Sequence, residues 1–421
     1  MARPLPDLAE LAADEPHLTL LFDERPEGQC LLAVGCRKSF VLAEPHPEAF
    51  EALQRFFDEV GWAVGWVGYD AKNLVERLVS EHADAVEFPV LHWTEPRIVV
   101  VWGAGREEPV CVVGGEEPDA YRVLAAVRRG LPEGWDPPAA GVRLRPRWDT
   151  ATYLQRVARV KRHIARGDIY ELNVCTEWSA ERTDVPHPWE AFVRLQRRTR
   201  APYSAFVRAF DRFLLCGSPE RFLRRRGDEV VSSPIKGTAR RGATAEEDRE
   251  AAASLAASPK ERAENIMICD LVRNDLSRVA VPGSVQVTEL CALHTFATVH
   301  QMISTVRCTC RPGTTETDLL RAAFPMGSMT GAPKVRAMEL IEAVESTRRG
   351  IYSGSVGYRA PGGDCDLNVV IRSIAINRSL QTVSAHVGGA ITAASDPEAE
   401  YAECVLKAGA LLRTLADDAT A

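Results

Sequence analysis

Residues 353–387 read SGSVGYRAPGGDCDLNVVIRSIAINRSLQTVSAHV. Strand signals over 353–358, 367–376 and 382–387 follow one another with no helical pattern between them. Consecutive parallel strands need a crossover of a dozen or more residues, whereas antiparallel neighbours need only a turn. The same clustering recurs elsewhere, with strand signals at 39–42, 63–69, 97–102, 169–176, 205–208, 230–232 and 285–290. Helical patterns occupy 47–60, 149–167, 244–257, 259–275, 315–323, 332–344 and 398–415. Clusters of strands without regular alternation with helices predict an α+β fold with antiparallel sheets, not a doubly wound parallel one. Residues 130–148 carry Pro132, Pro137, Pro138 and Pro146, which neither a helix nor a central strand accommodates. The expected organisation is therefore an N-terminal region at 1–130, a linker at 131–148 and a second region at 149–415.

The chain has 421 residues, with 51 Lys and Arg against 58 Asp and Glu, a net charge of −7. An acidic chain without a basic run offers no phosphate footprint and argues against nucleic acid as a partner. Its longest apolar runs, such as 98–102, are far short of the roughly 20 residues of a membrane span. The opening MARPLPDLAELAADEP lacks the apolar segment of a signal peptide. Eleven scattered cysteines suit reduced thiols, and a cytoplasmic location is expected.

Four constellations could carry chemistry. In SPIKGT (233–238), Lys236 sits between a proline turn and a glycine at a strand end. A buried or electropositive setting would lower its pKa and free a nucleophilic amine; a loop lysine paired with an acid is the alternative. Glu261 and Glu264 stand three apart on one predicted helix, and Glu400 and Glu403 three apart on another. Each pair shares a helix face and could aim two carboxylates at Mg²⁺, or simply coat a solvated surface. FPMGSMTGAPK (324–334) leads into a helix start whose free N–H groups could bind an anion or be ordinarily capped. Arg372 lies in a strand-like apolar run and needs a partner, either a substrate carboxylate or a structural acid.

Together with GDIYELN (167–173), SPERF (218–222) and ERAENIMICDLVRNDLSRV (261–279), these segments resemble the chorismate-utilising enzyme family. So do RRGIYSGSVGY (348–358), DLNVVIRS (366–373) and GGAITAASDPEAEYAE (388–403). The resemblance is strong from 149 to about 412 and weaker before it, through GWVGYD (65–70). It implies the fold of anthranilate synthase component I, with antiparallel β-sheets packed face to face and helices flanking them. Members that make anthranilate, isochorismate or salicylate usually carry alanine where this chain has Lys236. The lysine implies the aminating branch, in which chorismate and ammonia give 4-amino-4-deoxychorismate on the way to p-aminobenzoate and folate. In that mechanism the lysine adds to C2 of chorismate and displaces the 4-hydroxyl, and ammonia then attacks C4 and expels the lysine. Glu220 matches the acid that protonates the departing hydroxyl. Glu264 and Glu403 match Mg²⁺ ligands, with Glu261 and Glu400 beside them. Tyr352 and Arg372 match binders of the enolpyruvyl carboxylate, and Gly237, Thr238, Ser328, Gly388 and Lys407 match further substrate contacts. The resemblance also implies a separate glutamine amidotransferase subunit as the source of ammonia and a downstream aminodeoxychorismate lyase.

Three departures from the family pattern bear on the product. Glu171 stands where water-activating members place a lysine and ammonia users often a glutamine. Gln301 replaces the histidine tied to pyruvate elimination, although His300 is adjacent; alternation along a strand would turn His300 to the opposite face. Ala390 replaces the last glycine of a glycine-rich stretch. The alternatives are an anthranilate-forming member and a catalytically idle chorismate-binding subunit.

Overall fold

The computed structural model describes residues 3–25 and 27–416. Two antiparallel sheets carry the architecture. In the first, Glu171–Ala180, Thr382–Ile391, Ser373–Asn377, Arg212–Ser218 and Tyr203–Ala209 run side by side. His17–Phe22, Gln29–Val34, Ile98–Gly103 and Arg106–Val113 extend that sheet. In the second, Ile235–Arg240, Val299–Thr309, Glu229–Ser233, Arg221–Arg226, Cys365–Asn368 and Ser355–Arg359 are joined by Ala63–Val67, Leu91–Glu95 and Lys38–Leu42. The expected α+β class and face-to-face sheets are thus what forms.

The residue pattern explains the layering. Leu32 and Val34 pack with Leu8, Phe192, Leu195 and Leu411, which come from helices covering the first sheet. Their neighbours Leu31 and Ala33 point the other way and meet Val64 and Tyr358 of the second sheet. A second inter-sheet cluster joins Ala205, Val207 and Leu214 to Trp66, Ile351 and Val356. Strands covered on both faces lose the polar half of their alternation, so they read as continuous apolar runs. The helix Pro259–Ser277 packs on the second sheet through Ile268, Cys269, Val272 and Leu276. The helix Pro397–Leu415 packs on the first through Cys404, Ala408, Leu411 and Leu415. Both helices begin with a side-chain cap and a proline: Ser258 caps the first and Asp396 the second.

One expectation needs correction. The run 367–376 is not one strand: Cys365–Asn368 belongs to the second sheet and Ser373–Asn377 to the first. The chain crosses between sheets at 369–372, where Val369 donates to the Glu220 carbonyl and Val370 to that of Gly354. Arg372, at φ 49°, turns the chain into the next strand, so it is a crossing residue and not a strand residue. The stretch 131–148 runs between two regions that share both sheets. His17–Phe22 pairs with Tyr203–Ala209, and Ala63–Val67 pairs with Ser355–Arg359, so the first 130 residues complete both sheets. Among the described residues no helix is long and apolar enough to cross a membrane.

Candidate active site

Lys236 enters the site because its strand is irregular. The pairing of Ile235–Arg240 with Val299–Thr309 shifts between Ile235 and Thr238, and Gly237 between them adopts φ 87°. Such a bulge re-aims one side chain, and a Cβ at Gly237 would come within 3.0 Å of the Glu261 carboxylate. The Lys236 ammonium donates to Glu171 Oε1 at 2.6 Å, with both side chains buried. Burial alone would lower the lysine pKa, but the carboxylates of Glu171, Glu264 and Glu220 outweigh it and raise the pKa above its ordinary value. Of the two readings the sequence leaves open, the lysine paired with an acid is the one that forms, and the unliganded protein holds Lys236 as an ammonium ion.

Glu220 sits in the turn between Arg212–Ser218 and Arg221–Arg226 and is buried. Its Oε1 accepts a hydrogen bond from Ser328 Oγ at 2.7 Å. Burial pushes its pKa from 4.5 to about 7, against smaller opposing effects of Ser328 and Lys236. A carboxyl that keeps its proton near neutrality can act as a general acid. Ser328, expected to contact substrate, therefore also touches the acid. Its loop is held by Asn173, whose amide donates to the Ser328 carbonyl at 3.0 Å, and by Arg349, which donates to the Met329 carbonyl at 2.7 Å.

The acidic pairs face one another across the two helices. Glu264 is buried, Oε1 has no hydrogen-bond partner, and burial raises its pKa to about 7, with Glu171 and Glu261 adding to the rise. Lys260 bridges the helices, 2.9 Å from Glu400 and 3.9 Å from Glu264. Lys407 lies 2.8 Å from Glu403 and outweighs partial burial to hold that carboxyl below its usual range. Among the described residues no three His, Cys, Asp or Glu side chains converge as a ready metal cage. An orphaned buried carboxylate oxygen amid surplus negative charge nonetheless fits Mg²⁺, which takes one or two carboxylates and completes its shell with water and substrate oxygens.

The expected carboxylate binders are arranged differently from one another. Among the described residues the Arg372 guanidinium has no hydrogen-bond or ion-pair partner, and burial lowers its pKa. Tyr352 stacks on His386 with ring centroids 5.2 Å apart, and its hydroxyl is approached by the Cys175 thiol at 3.9 Å. The Gly388 carbonyl accepts from Lys407 at 2.9 Å, and a Cβ there would come within 2.5 Å of the Val174 carbonyl. Thr238 is exposed and pairs across the sheet with Gln301. Gln301 is buried with Oε1 unpartnered, while His300 is engaged by Thr295 at 2.9 Å and Asp248 at 3.0 Å. The structure thus brings Lys236, Glu171, Glu220, Ser328, Glu261 and Glu264 together. It joins Glu400 through Lys260 and sets Glu403 near Glu261, while Lys407 ties Glu403 to the Gly388 carbonyl; among the described residues Arg372 and Thr238 have no side-chain hydrogen bond or ion pair to that group. Sequence reasoning missed Lys260, whose position four residues before Glu264 is an i, i+4 pairing signal.

The family described as chorismate binding enzyme matches residues 18–413. Aminodeoxychorismate synthase component 1 of Salmonella typhimurium is 38% identical over 365 residues, covering 84% of this chain and 77% of the relative. Anthranilate synthase component 1 of Thermus thermophilus is 36% identical over 398 residues, covering 93% of this chain and 84% of the relative. The crystal structure of anthranilate synthase component I from Streptococcus pneumoniae superposes with a TM-score of 0.79 at 26% identity, covering 93% of this chain and 94% of that one.

Proposed function

The chain belongs to the chorismate-binding enzyme family, and from that premise we propose that it aminates chorismate to 4-amino-4-deoxychorismate. Relatives bearing the names of both aminodeoxychorismate and anthranilate synthases lie at similar identity, so the choice rests on this chain's own residues. The carrying observation is the buried Lys236 ammonium among Glu171, Glu220 and Glu264. Burying an ion pair is a weak source of stability, so use in the reaction is what accounts for a lysine in such a place.

In this reading Lys236 adds to C2 of the ring while Glu220 protonates the departing 4-hydroxyl, and ammonia then attacks C4 and expels the lysine. Glu220 suits its task because its pKa, about 7, keeps much of it protonated near neutral pH. Arg372 binds a substrate carboxylate bidentately, for which a partnerless guanidinium is fitted. Lys407 fixes the Gly388 carbonyl beside the ring. Glu264 and Glu403 would hold Mg²⁺, with Glu261 and Glu400 behind them, and the ion would supply charge neutralisation for the ring carboxylate. The reaction stops before pyruvate elimination, because Gln301 cannot titrate near neutrality and His300 is tied to Asp248 and Thr295. Ammonia comes from a separate glutamine amidotransferase, in keeping with the word component in the Salmonella relative's name, and a lyase consumes the product.

Purified chain given chorismate, Mg²⁺ and ammonium is expected to yield a product with the mass of aminodeoxychorismate, and none when glutamine replaces ammonium. Fluorescent anthranilate in that mixture would overturn the assignment.

A further inference from the structure

We propose that Glu171 is the proton acceptor that turns Lys236 from an ammonium ion into an attacking amine, a role that rests on Lys236 being the covalent nucleophile. An ammonium nitrogen has three N–H bonds and no lone pair, so it forms no bond to carbon until a proton leaves. The acids that face Lys236 come from four elements. Glu171 opens the strand Glu171–Ala180, Glu220 lies in the turn before Arg221–Arg226, Glu261 and Glu264 lie on Pro259–Ser277, and Glu403 lies on Pro397–Leu415. Among the described residues only Glu171 is within hydrogen-bond distance of Nζ, at 2.6 Å.

The other acids are engaged. Glu220 must deliver a proton to the leaving hydroxyl, so it cannot accept one in the same step, and its Oε1 already accepts from Ser328. Glu264 and Glu403 belong to the cation. Glu171 is fully buried and its second oxygen, Oε2, has no hydrogen-bond partner. That oxygen has an open lone pair, so Glu171 has acceptor capacity beyond its bond to Lys236. A lysine ammonium seldom loses its proton to water at neutral pH, and transfer across the 2.6 Å contact to Glu171 avoids that loss.

The step balances. An Nζ–H bond breaks and an O–H bond forms on Glu171, and the freed pair on Nζ makes the bond to C2. The two ring double bonds shift, the C4–O bond breaks, and the oxygen leaves as water with the proton from Glu220. When ammonia bonds to C4 the double bonds shift back and the C2–N bond breaks. Lys236 departs as a neutral amine and recovers its proton from Glu171.

Glu171→Gln keeps the side-chain shape but cannot accept the proton. The measurement is the rate of Lys236 adduct formation with chorismate and Mg²⁺ in the absence of ammonia, followed by intact mass over roughly pH 6.5 to 9. The variant must shed its proton to solvent, so the ratio of variant to wild-type rate is expected to climb about tenfold per pH unit, starting at least about 100-fold below one at pH 7. Taking the ratio cancels the titration of Glu220. A ratio near one, or one flat with pH, overturns the assignment. Should Glu171→Gln not fold, Glu171→Ala leaves space beside Nζ, and added formate is expected to restore adduct formation in proportion to its concentration; absence of that rescue counts against Glu171. A wild type that makes product without ever forming a Lys236 adduct sinks the lysine reading itself. An adduct in the wild type with an unchanged ratio sinks only the role of Glu171.

Discussion

Replacing Glu220 by Gln should make the protein more stable in alkaline buffer and nearly inactive. The folded carboxyl titrates at about 7 and its ordinary value is 4.5. The difference corresponds to about 3 kcal/mol favouring the neutral form in the fold. Because the folded pKa is the higher one, the folded chain binds more protons than the unfolded chain between those values. Stability therefore falls as pH rises from about 4.5 to about 7, with no penalty below that window and the full penalty above it. Glutamine carries no charge at any of these pH values, and its amide oxygen can still accept from Ser328. Urea denaturation should show wild type and Glu220→Gln alike at pH 4 and the variant more stable by up to about 3 kcal/mol at pH 9. Chorismate turnover should drop roughly 100- to 10,000-fold, the usual worth of a positioned acid. A stability difference that does not change with pH, or a variant with near-normal turnover, would refute the assignment of Glu220 as a buried, proton-holding acid.

Arg372→Ala should weaken chorismate binding by about 1.5–3 kcal/mol, read as a roughly 10- to 150-fold rise in KM, while the melting temperature holds, since the guanidinium supports no internal partner. Saturating Mg²⁺ should raise the melting temperature of the wild type at pH 8 by a few degrees through preferential binding to the folded state. Glu264→Gln should lose that shift, and a variant that keeps it would place the ion elsewhere.

The strand and helix periods exposed most of the fold because both sheets are built from short, covered strands with ordinary caps. The helical pattern over 149–167 forms as Thr150–Ala165, capped by Asp149 and burying Tyr153, Val157 and Val160. The crossing at 369–372 was hidden because Val369, Val370 and Ile371 are apolar, as strand residues are, and only the backbone turn at Arg372 betrays it. The carboxylate pairs were legible from spacing, since i, i+3 positions share a helix face whatever surrounds them. The charge state of Lys236 was not, because it depends on Glu171, Glu220 and Glu264 arriving from distant parts of the chain. The orientation of His300 followed from simple alternation, and its bonds to Thr295 and Asp248 agree with it.

The interleaving of the first 130 residues with both sheets governs how the chain can be made. His17–Phe22 waits for Tyr203–Ala209 before it has its inner neighbour, and Ala63–Val67 waits for Ser355–Arg359. Glu171–Ala180 pairs with Thr382–Ile391, so that end of the first sheet closes only when nearly the whole polypeptide exists. Pairings this distant in sequence carry a loop-closure cost before they gain contacts, and they slow folding. During synthesis the emerging N-terminal strands therefore present unsatisfied edges for most of translation, exposed to the same pairing that drives aggregation. Cutting the chain in the proline-rich stretch at 131–148 would give two pieces and break one strand pairing in each sheet, His17–Phe22 with Tyr203–Ala209 and Ala63–Val67 with Ser355–Arg359. Produced together, such pieces would regain turnover only by assembling into one sandwich, so their activity would scale with the concentration of both.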